Sequence, residues 1–221
     1  MAGPPLTTRA VKTLFRRRWR GEEIRVVERR GRRELFLGDE WQGVAPGGRG
    51  WYWDVMAREA MRRQSRSLLL VGLGAGTTAR LAAAAGFSGR LVAVEHSPAV
   101  LAARRFFSMP RGLRVVRADA ADFARTRGET FDAIAEDVFG AATELVPSRA
   151  RGLDAGYFRG LFARLLPGGT LMVNVFSAPE YDGRRRRLLR VLARLGRVRV
   201  LVPARGANEV WCVTAAGARR R

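Results

Sequence analysis

The sequence predicts a doubly wound α/β fold with a mostly parallel sheet and a small N-terminal β-hairpin extension. Two observations carry that prediction. LLLVGLGAGTT (68–78) runs four apolar residues into a turn with Gly72, Gly74 and Gly76, and the helical TTARLAAAAG follows at once. A buried parallel strand that ends in a tight turn and opens a helix lets a backbone close on a nucleotide. Three more apolar strands then end on acids: LVAVEHS (91–97) at Glu95, LRVVRADA (113–120) at Asp119, and FDAIAED (131–137) at Glu136 and Asp137. Strands closing in this way put their polar ends on one rim of a parallel sheet, where ligands bind at the reversal of strand order.

Residues 1–21 read as a basic arm, frayed or shortly helical, and 22–50 as the hairpin region. Within EEIRVVERRGRRELFLGDEWQGVA (22–45), IRVVE and ELFL are strand-like and Gly31 supplies the turn. Gly47, Gly48 and Gly50 mark a loop before the helix WYWDVMAREAMRR (51–63). From Ser67 onward strands alternate with helices, which implies right-handed crossovers. A long loop is expected over 138–152, then the helix AGYFRGLFARLL (155–166), ended by Pro167-Gly168-Gly169 ahead of a fifth strand, TLMVNVF. RRRRLLRVLARLG (184–196) has apolar residues at Leu188, Leu189, Val191, Leu192 and Leu195, the spacing of an amphipathic helix, with Arg184–Arg187 as a solvated end. RVRVLVP and EVWCVTA complete seven strands as an antiparallel pair. Residues 51–216 thus form a nucleoside-binding Rossmann-like domain, with a basic tail over 217–221.

Glycine spacing narrows the ligand. A dinucleotide fingerprint requires a third glycine where Thr77 stands, and a P-loop requires a Gly-Lys pair, whereas Lys12 is the single lysine in the chain. The remaining reading is an S-adenosyl nucleoside site. Glu95, about twenty residues past the turn, is placed to accept hydrogen bonds from ribose hydroxyls. The competing reading makes Glu95 and Asp119 solvated helix caps.

Composition sets further bounds. No apolar run approaches the roughly 18 residues of a membrane span, and no signal-peptide core lies near the start. One cysteine, Cys212, excludes an intramolecular disulfide, and one histidine, His96, leaves no His/Cys zinc constellation, so no metal is expected. The expected location is the cytoplasm. A net charge of +21 would suit phosphate contacts. The arginine clusters are scattered, however, and the near-absence of lysine has the look of a GC-rich genome, so nucleic acid is open as a partner but not favoured.

From about residue 22 to 214 the motifs resemble the spermidine synthase-like (polyamine aminopropyltransferase-like) branch of the class I S-adenosylmethionine-dependent methyltransferase fold, with its seven-stranded sheet. ELFLGDEWQ is similar to that family's Leu-Asp-Gly-x-x-Gln hairpin with Gly38 and Asp39 reversed, which puts Gln42 at the substrate-side glutamine. LLLVGLGAGTT matches the glycine turn and VAVEHS the ribose-binding strand. ADAADF matches the pair that contacts adenine, here Asp119 and Ala120. FDAIAED matches the strand that ends in the catalytic aspartate, here Asp137. Asp137-x-Phe139, Val146-Pro147, Tyr157-Phe158 and Asn174-Val175 resemble a subgroup of synthase-like proteins. The resemblance implies S-adenosylmethionine or its decarboxylated form as donor, a small-molecule acceptor such as an amine, no membrane partner, and leaves a homodimer open.

Two departures bear on the reaction. The family aspartate that holds the decarboxylated donor's amine is replaced by Ala75, and a second, polyamine-binding aspartate by Gly140. A strongly cationic surface also repels polyamines, although Glu136, Asp137, Glu144 and Asp154 can reverse the sign inside a pocket. His96 is placed either to stack on adenine or to lie on the surface. Trp53, with Trp51 and Tyr52, lines an acceptor pocket or forms core, and Gln42 shares that ambiguity. Asn174 ends the fifth strand and is a candidate for facing the pocket. Three readings follow: a spermidine synthase-like transferase, a methyltransferase acting on a small molecule or nucleic acid, and a non-catalytic basic protein that binds nucleic acid or an acidic partner.

Overall fold

Two sheets organise the chain. The computed structural model describes residues 11–62, 65–138 and 154–215. The first ten residues, the basic tail and most of the expected loop, including Phe139, Gly140, Glu144 and Val146-Pro147, lie outside the described residues. The first sheet is antiparallel, in the order β1 (Lys12–Trp19), β2 (Glu22–Arg29), β3 (Arg32–Leu37), β4 (Glu40–Ala45). It corrects two expectations, since residues 12–19 are a strand instead of an arm, and four strands stand where one hairpin was expected. The arginine run in FRRRWR hides the alternation of β1. Its hairpin nonetheless closes on Arg20-Gly21, as the next one closes on Arg30-Gly31, with positive φ at both central residues of each turn.

The second sheet follows α1 (Tyr52–Arg62). It alternates β5 (Ser67–Val71), α2 (Thr77–Ala84), β6 (Arg90–Glu95), α3 (Pro98–Ala103), β7 (Arg114–Arg117), α4 (Ala120–Arg125) and β8 (Phe131–Glu136). After residue 154 come α5 (Ala155–Phe162), β9 (Leu165–Phe176), α6 (Asp182–Ala193), β10 (Val198–Leu201) and β11 (Asn208–Thr214). Strand order is β10-β11-β9-β8-β5-β6-β7, with β5 to β9 parallel and β11 antiparallel to both neighbours. The order reverses between β5 and β8, the switch point at which such sheets bind ligands. Period-2 geometry sends Leu68 and Leu70 to a core with α1 and α2, and Leu69 and Val71 to a core with α4, α5 and α6. Each of these buried side chains contributes roughly 1.5–3 kcal/mol, which is why β5 reads as an unbroken apolar run. No helix among the described residues is long and apolar enough to cross a membrane.

Two local boundaries differ from expectation. The helix placed at 155–166 stops at Phe162, because Leu165 already pairs with Phe131 as the start of β9 and Pro167-Gly168-Gly169 fall inside that strand. Arg164 turns inward instead, 5% exposed, and donates to the carbonyls of Phe123 (2.9 Å), Thr126 (2.8 Å) and Glu129 (3.2 Å). On α6, Leu189 is exposed, whereas Arg185 leaves the supposedly solvated end. Its guanidinium meets both carboxylate oxygens of Glu209 (2.8 and 2.7 Å) and ties α6 to β11.

Candidate functional site

The C-terminal ends of β5, β6, β7 and β8 form the floor of a cavity of about 270 Å³, and the four-stranded sheet forms its roof. Gly72, Gly74, Glu95, His96, Asp119, Ala120 and Asp137 line the floor. Trp19, Glu22, Ile24, Leu35, Leu37 and Gln42 line the roof. The roof residues share one sheet face because Trp19 pairs with Glu22, Ile24 with Leu37 and Leu37 with Glu40. The Gly38-Asp39 reversal does not disturb this. Gly38 has φ 57° at the first central position of a two-residue turn, as type II′ hairpins require. Gln42 falls where the β3–β4 register shifts between Leu35 and Phe36, without a partner in the ladder, and lines the cavity.

The glycine turn is gripped from both sides. Gly72 has φ 91°, and a Cβ there would run into the Asp137 carbonyl oxygen. A Cβ on Gly74 would stand 2.9 Å from the Gln42 carbonyl oxygen. The turn therefore brings β8 and β4 to the same ligand space. Gly76 faces the other way, against Met109, and does not line the cavity.

Glu95 is 8% exposed, with one carboxylate oxygen accepting from Ser97 N (2.8 Å) and the other from Leu73 N (3.2 Å). Each carboxylate oxygen retains acceptor capacity beyond these bonds. Asp119 both caps α4, accepting from Ala121 N (2.8 Å) and Asp122 N (3.3 Å), and lines the cavity, so the two readings of this residue coincide. His96 sits 3.4 Å from Glu95 and edge-on to Trp19, with centroids 4.6 Å apart.

Asp137 has the most elaborate surroundings. Its backbone N–H donates to Val71 O (2.8 Å), which fixes it beside the turn. One carboxylate oxygen accepts from Tyr52 Oη (3.0 Å) and the other from Asn174 Nδ2 (2.8 Å), and Asn174 in turn accepts from Asn208 Nδ2 (2.9 Å). Burial, with Asp137 beside it, holds the Tyr52 phenol well above its usual range, so it stays a neutral donor. Burial raises the Glu22 carboxyl, and burial followed by the neighbouring Glu22 raises Glu40. Among the described lining residues, four carboxylates (Glu22, Glu95, Asp119, Asp137) face one arginine, Arg20. The pocket is acidic inside a basic protein.

Not every expected residue reaches this space. Trp53 is 3% exposed and packs with Trp41 (5.1 Å) and Tyr52 (4.5 Å), so it is core behind the turn. Asn174 is 1% exposed and meets the site through Asp137. Sequence reasoning missed the pairing of Tyr52 with Asp137, 85 residues apart, and the contribution of Trp19 and Glu22. The available signal was the Arg20-Gly21 turn, which mirrors Arg30-Gly31.

No family model matches the sequence, and no curated protein matches it. Solved structures do. A spermidine synthase in complex with the transition-state analogue AdoDATO superposes with TM-score 0.72 at 18% identity, covering 91% of this chain and 73% of that one. A probable spermidine synthase from Corynebacterium glutamicum gives 0.73 at 18% identity, over 94% and 81%. Human methyltransferase-like protein 13 in complex with SAH gives 0.60 at 19% identity, over 77% and 82%. These likenesses establish the fold: a mostly parallel seven-stranded α/β architecture shared with those spermidine synthase structures and, less closely, with the methyltransferase-like protein.

Proposed function

We propose that this chain is a transferase that binds an S-adenosyl-type sulfonium nucleoside in the cavity and transfers an alkyl group from it to an amine of a small molecule. The observation that carries the reading is the Asp137 carboxylate, held by Tyr52 and Asn174 and opening on the cavity that Glu95 and the glycine turn also line. Such a donor supplies an electrophilic carbon next to a sulfonium, with a neutral thioether as leaving group.

The residues present fit that donor. Glu95 accepts from ribose hydroxyls, Asp119 and Ala120 border the base, and the turn offers backbone without side chains. Asp137 accepts a proton from the attacking amine or orients its lone pair, and Tyr52 and Asn174 hold both carboxylate oxygens in place. Alignment provides most of the acceleration, and a positioned base adds about 10²–10⁴-fold. The acidic lining favours a cationic donor and an amine locally. The net charge of +21 works against free polyamines at long range, so a small amine of lower charge fits better.

Ala75 favours a second reading. It is 1% exposed and abuts Gly43, so no carboxylate extends from the turn to an amine of the decarboxylated donor. That favours S-adenosylmethionine itself, with a methyl group transferred. Incubation with each donor and a panel of amines, followed by mass spectrometry, separates methylated from aminopropylated products. Asp137→Asn is expected to lower either rate by about 10²–10⁴-fold with donor affinity retained. A rate unchanged in that variant would remove Asp137 from the chemistry.

A further inference from the structure

The proposed chemistry leaves the charge of this protein unexplained. Exchanging lysine for arginine alters the kind of cation and leaves the number alone. The excess of 41 basic over 20 acidic residues is therefore separate from the scarcity of lysine. Helix α6 concentrates this excess on its outer face. Arg184, Arg186, Arg187, Arg190 and, at the C-cap, Arg194 are all exposed, and none forms a salt bridge among the described residues. Arg184, Arg187, Arg190 and Arg194 follow one another at three- or four-residue steps, a single stripe about 15 Å long at 1.5 Å per residue. Of the two acids at the start of the helix, Asp182 is paired with Arg185 at 3.1 Å, and Glu180 precedes the stripe.

We propose that this stripe binds the sugar–phosphate backbone of a nucleic acid. The composition of the face selects that partner. A protein interface of useful affinity centres on buried aromatic and apolar anchors, and an interfacial membrane helix inserts an apolar face. Here the apolar side of α6 (Leu188, Val191, Leu192), with Leu195 just past its end, packs into the core, and Leu189 is the exposed large apolar residue on the helix. A phosphate backbone requires only cations in a row, and arginine forks suit phosphate oxygens.

The test is fluorescence anisotropy of a labelled mixed-sequence duplex DNA, with single-stranded RNA in a second arm, between about 50 and 200 mM salt. Four phosphate contacts contribute a slope of log affinity on log salt of about −3.6 for duplex and −2.8 for a single strand. For duplex this is a loss of roughly a hundredfold over that range. Combined Arg→Gln substitution at 184, 187, 190 and 194 is expected to remove that share of the slope, and combined Arg→Lys to retain it. The Gln variant should keep wild-type nucleoside affinity and melting temperature, because the stripe touches neither core nor cavity. A wild-type slope in the Gln variant would show binding spread over the whole surface and overturn the proposal. So would absence of binding to either nucleic acid at about 50 mM salt, or capture by anionic phospholipid vesicles in preference to both. None of these outcomes depends on the transferase reading, which stands or falls on nucleoside binding.

Discussion

Gly72→Ala tests the way two strand ends meet at the site, and Gly86→Ala is its internal control. Gly72 (φ 91°) and Gly86 (φ 94°) have nearly the same left-handed backbone, so alanine is strained at both, by about 1–3 kcal/mol. Their surroundings differ. A Cβ on Gly86 meets nothing within 4 Å, whereas one on Gly72 runs into the Asp137 carbonyl, which must move. Forcing atoms into packed structure adds about 1–3 kcal/mol, so Gly72→Ala should cost about 2–6 kcal/mol in all. At roughly 2–4 °C per kcal/mol for a chain of this size, Gly86→Ala lowers Tm by about 2–12 °C and Gly72→Ala by about 4–24 °C. Thermal unfolding by circular dichroism reads both. Nucleoside affinity, measured on the folded variants, should fall only in Gly72→Ala, since only there does the new Cβ distort the glycine turn that lines the cavity. Equal melting temperatures for the two variants, or intact affinity in Gly72→Ala, would refute the reasoning.

Three further outcomes are expected. Tyr52→Phe removes one of the donors holding Asp137, a charge-assisted bond worth about 1.5–3 kcal/mol. It should slow transfer about 10–100-fold with donor affinity unchanged, and a defect confined to donor affinity would contradict the positioning role. Arg164→Met leaves the carbonyls of Phe123, Thr126 and Glu129 without this donor, and should destabilise the fold by about 2–4 kcal/mol in urea titration; a loss below about 1 kcal/mol would count against it. Glu40 has its folded pKa raised, so the folded state favours the protonated form, and wild-type stability falls as pH climbs from 4.5 through the raised value. Glu40→Gln lacks that fall, so its stability relative to wild type should increase between acid and neutral pH and then level off. A constant difference across that range would show that Glu40 is not perturbed.

The parallel sheet was legible because strands buried on both faces leave a continuous apolar signature, and because the glycine turn and Glu95 lie within 25 residues of each other. Asp137 was legible as the polar end of such a strand. What encloses it was not. The Tyr52–Asp137–Asn174–Asn208 chain joins positions far apart in sequence, and hydrogen-bond partnership across that distance leaves no local pattern. The roof was obscured for a different reason. A β-bulge between Thr13 and Phe15 breaks the alternation of β1, and arginines occupy three successive positions after it. Trp53 was ambiguous because an aromatic residue at a helix start suits a pocket wall and a core equally; packing by Trp41 and Tyr52 decided for the core. Arg185 shows the same limit among charges, where one arginine of a run of four is an internal strut and its neighbours are not.

In the proposed function, the cavity holds an S-adenosyl nucleoside through Glu95 and the glycine turn. Isothermal titration calorimetry of the full chain with S-adenosylmethionine, its decarboxylated form and methylthioadenosine addresses it directly. Saturable one-to-one binding of at least one of the three is expected, weakened at least tenfold, about 1.4 kcal/mol, by Glu95→Gln. No heat from any of the three, or binding indifferent to Glu95, would contradict it.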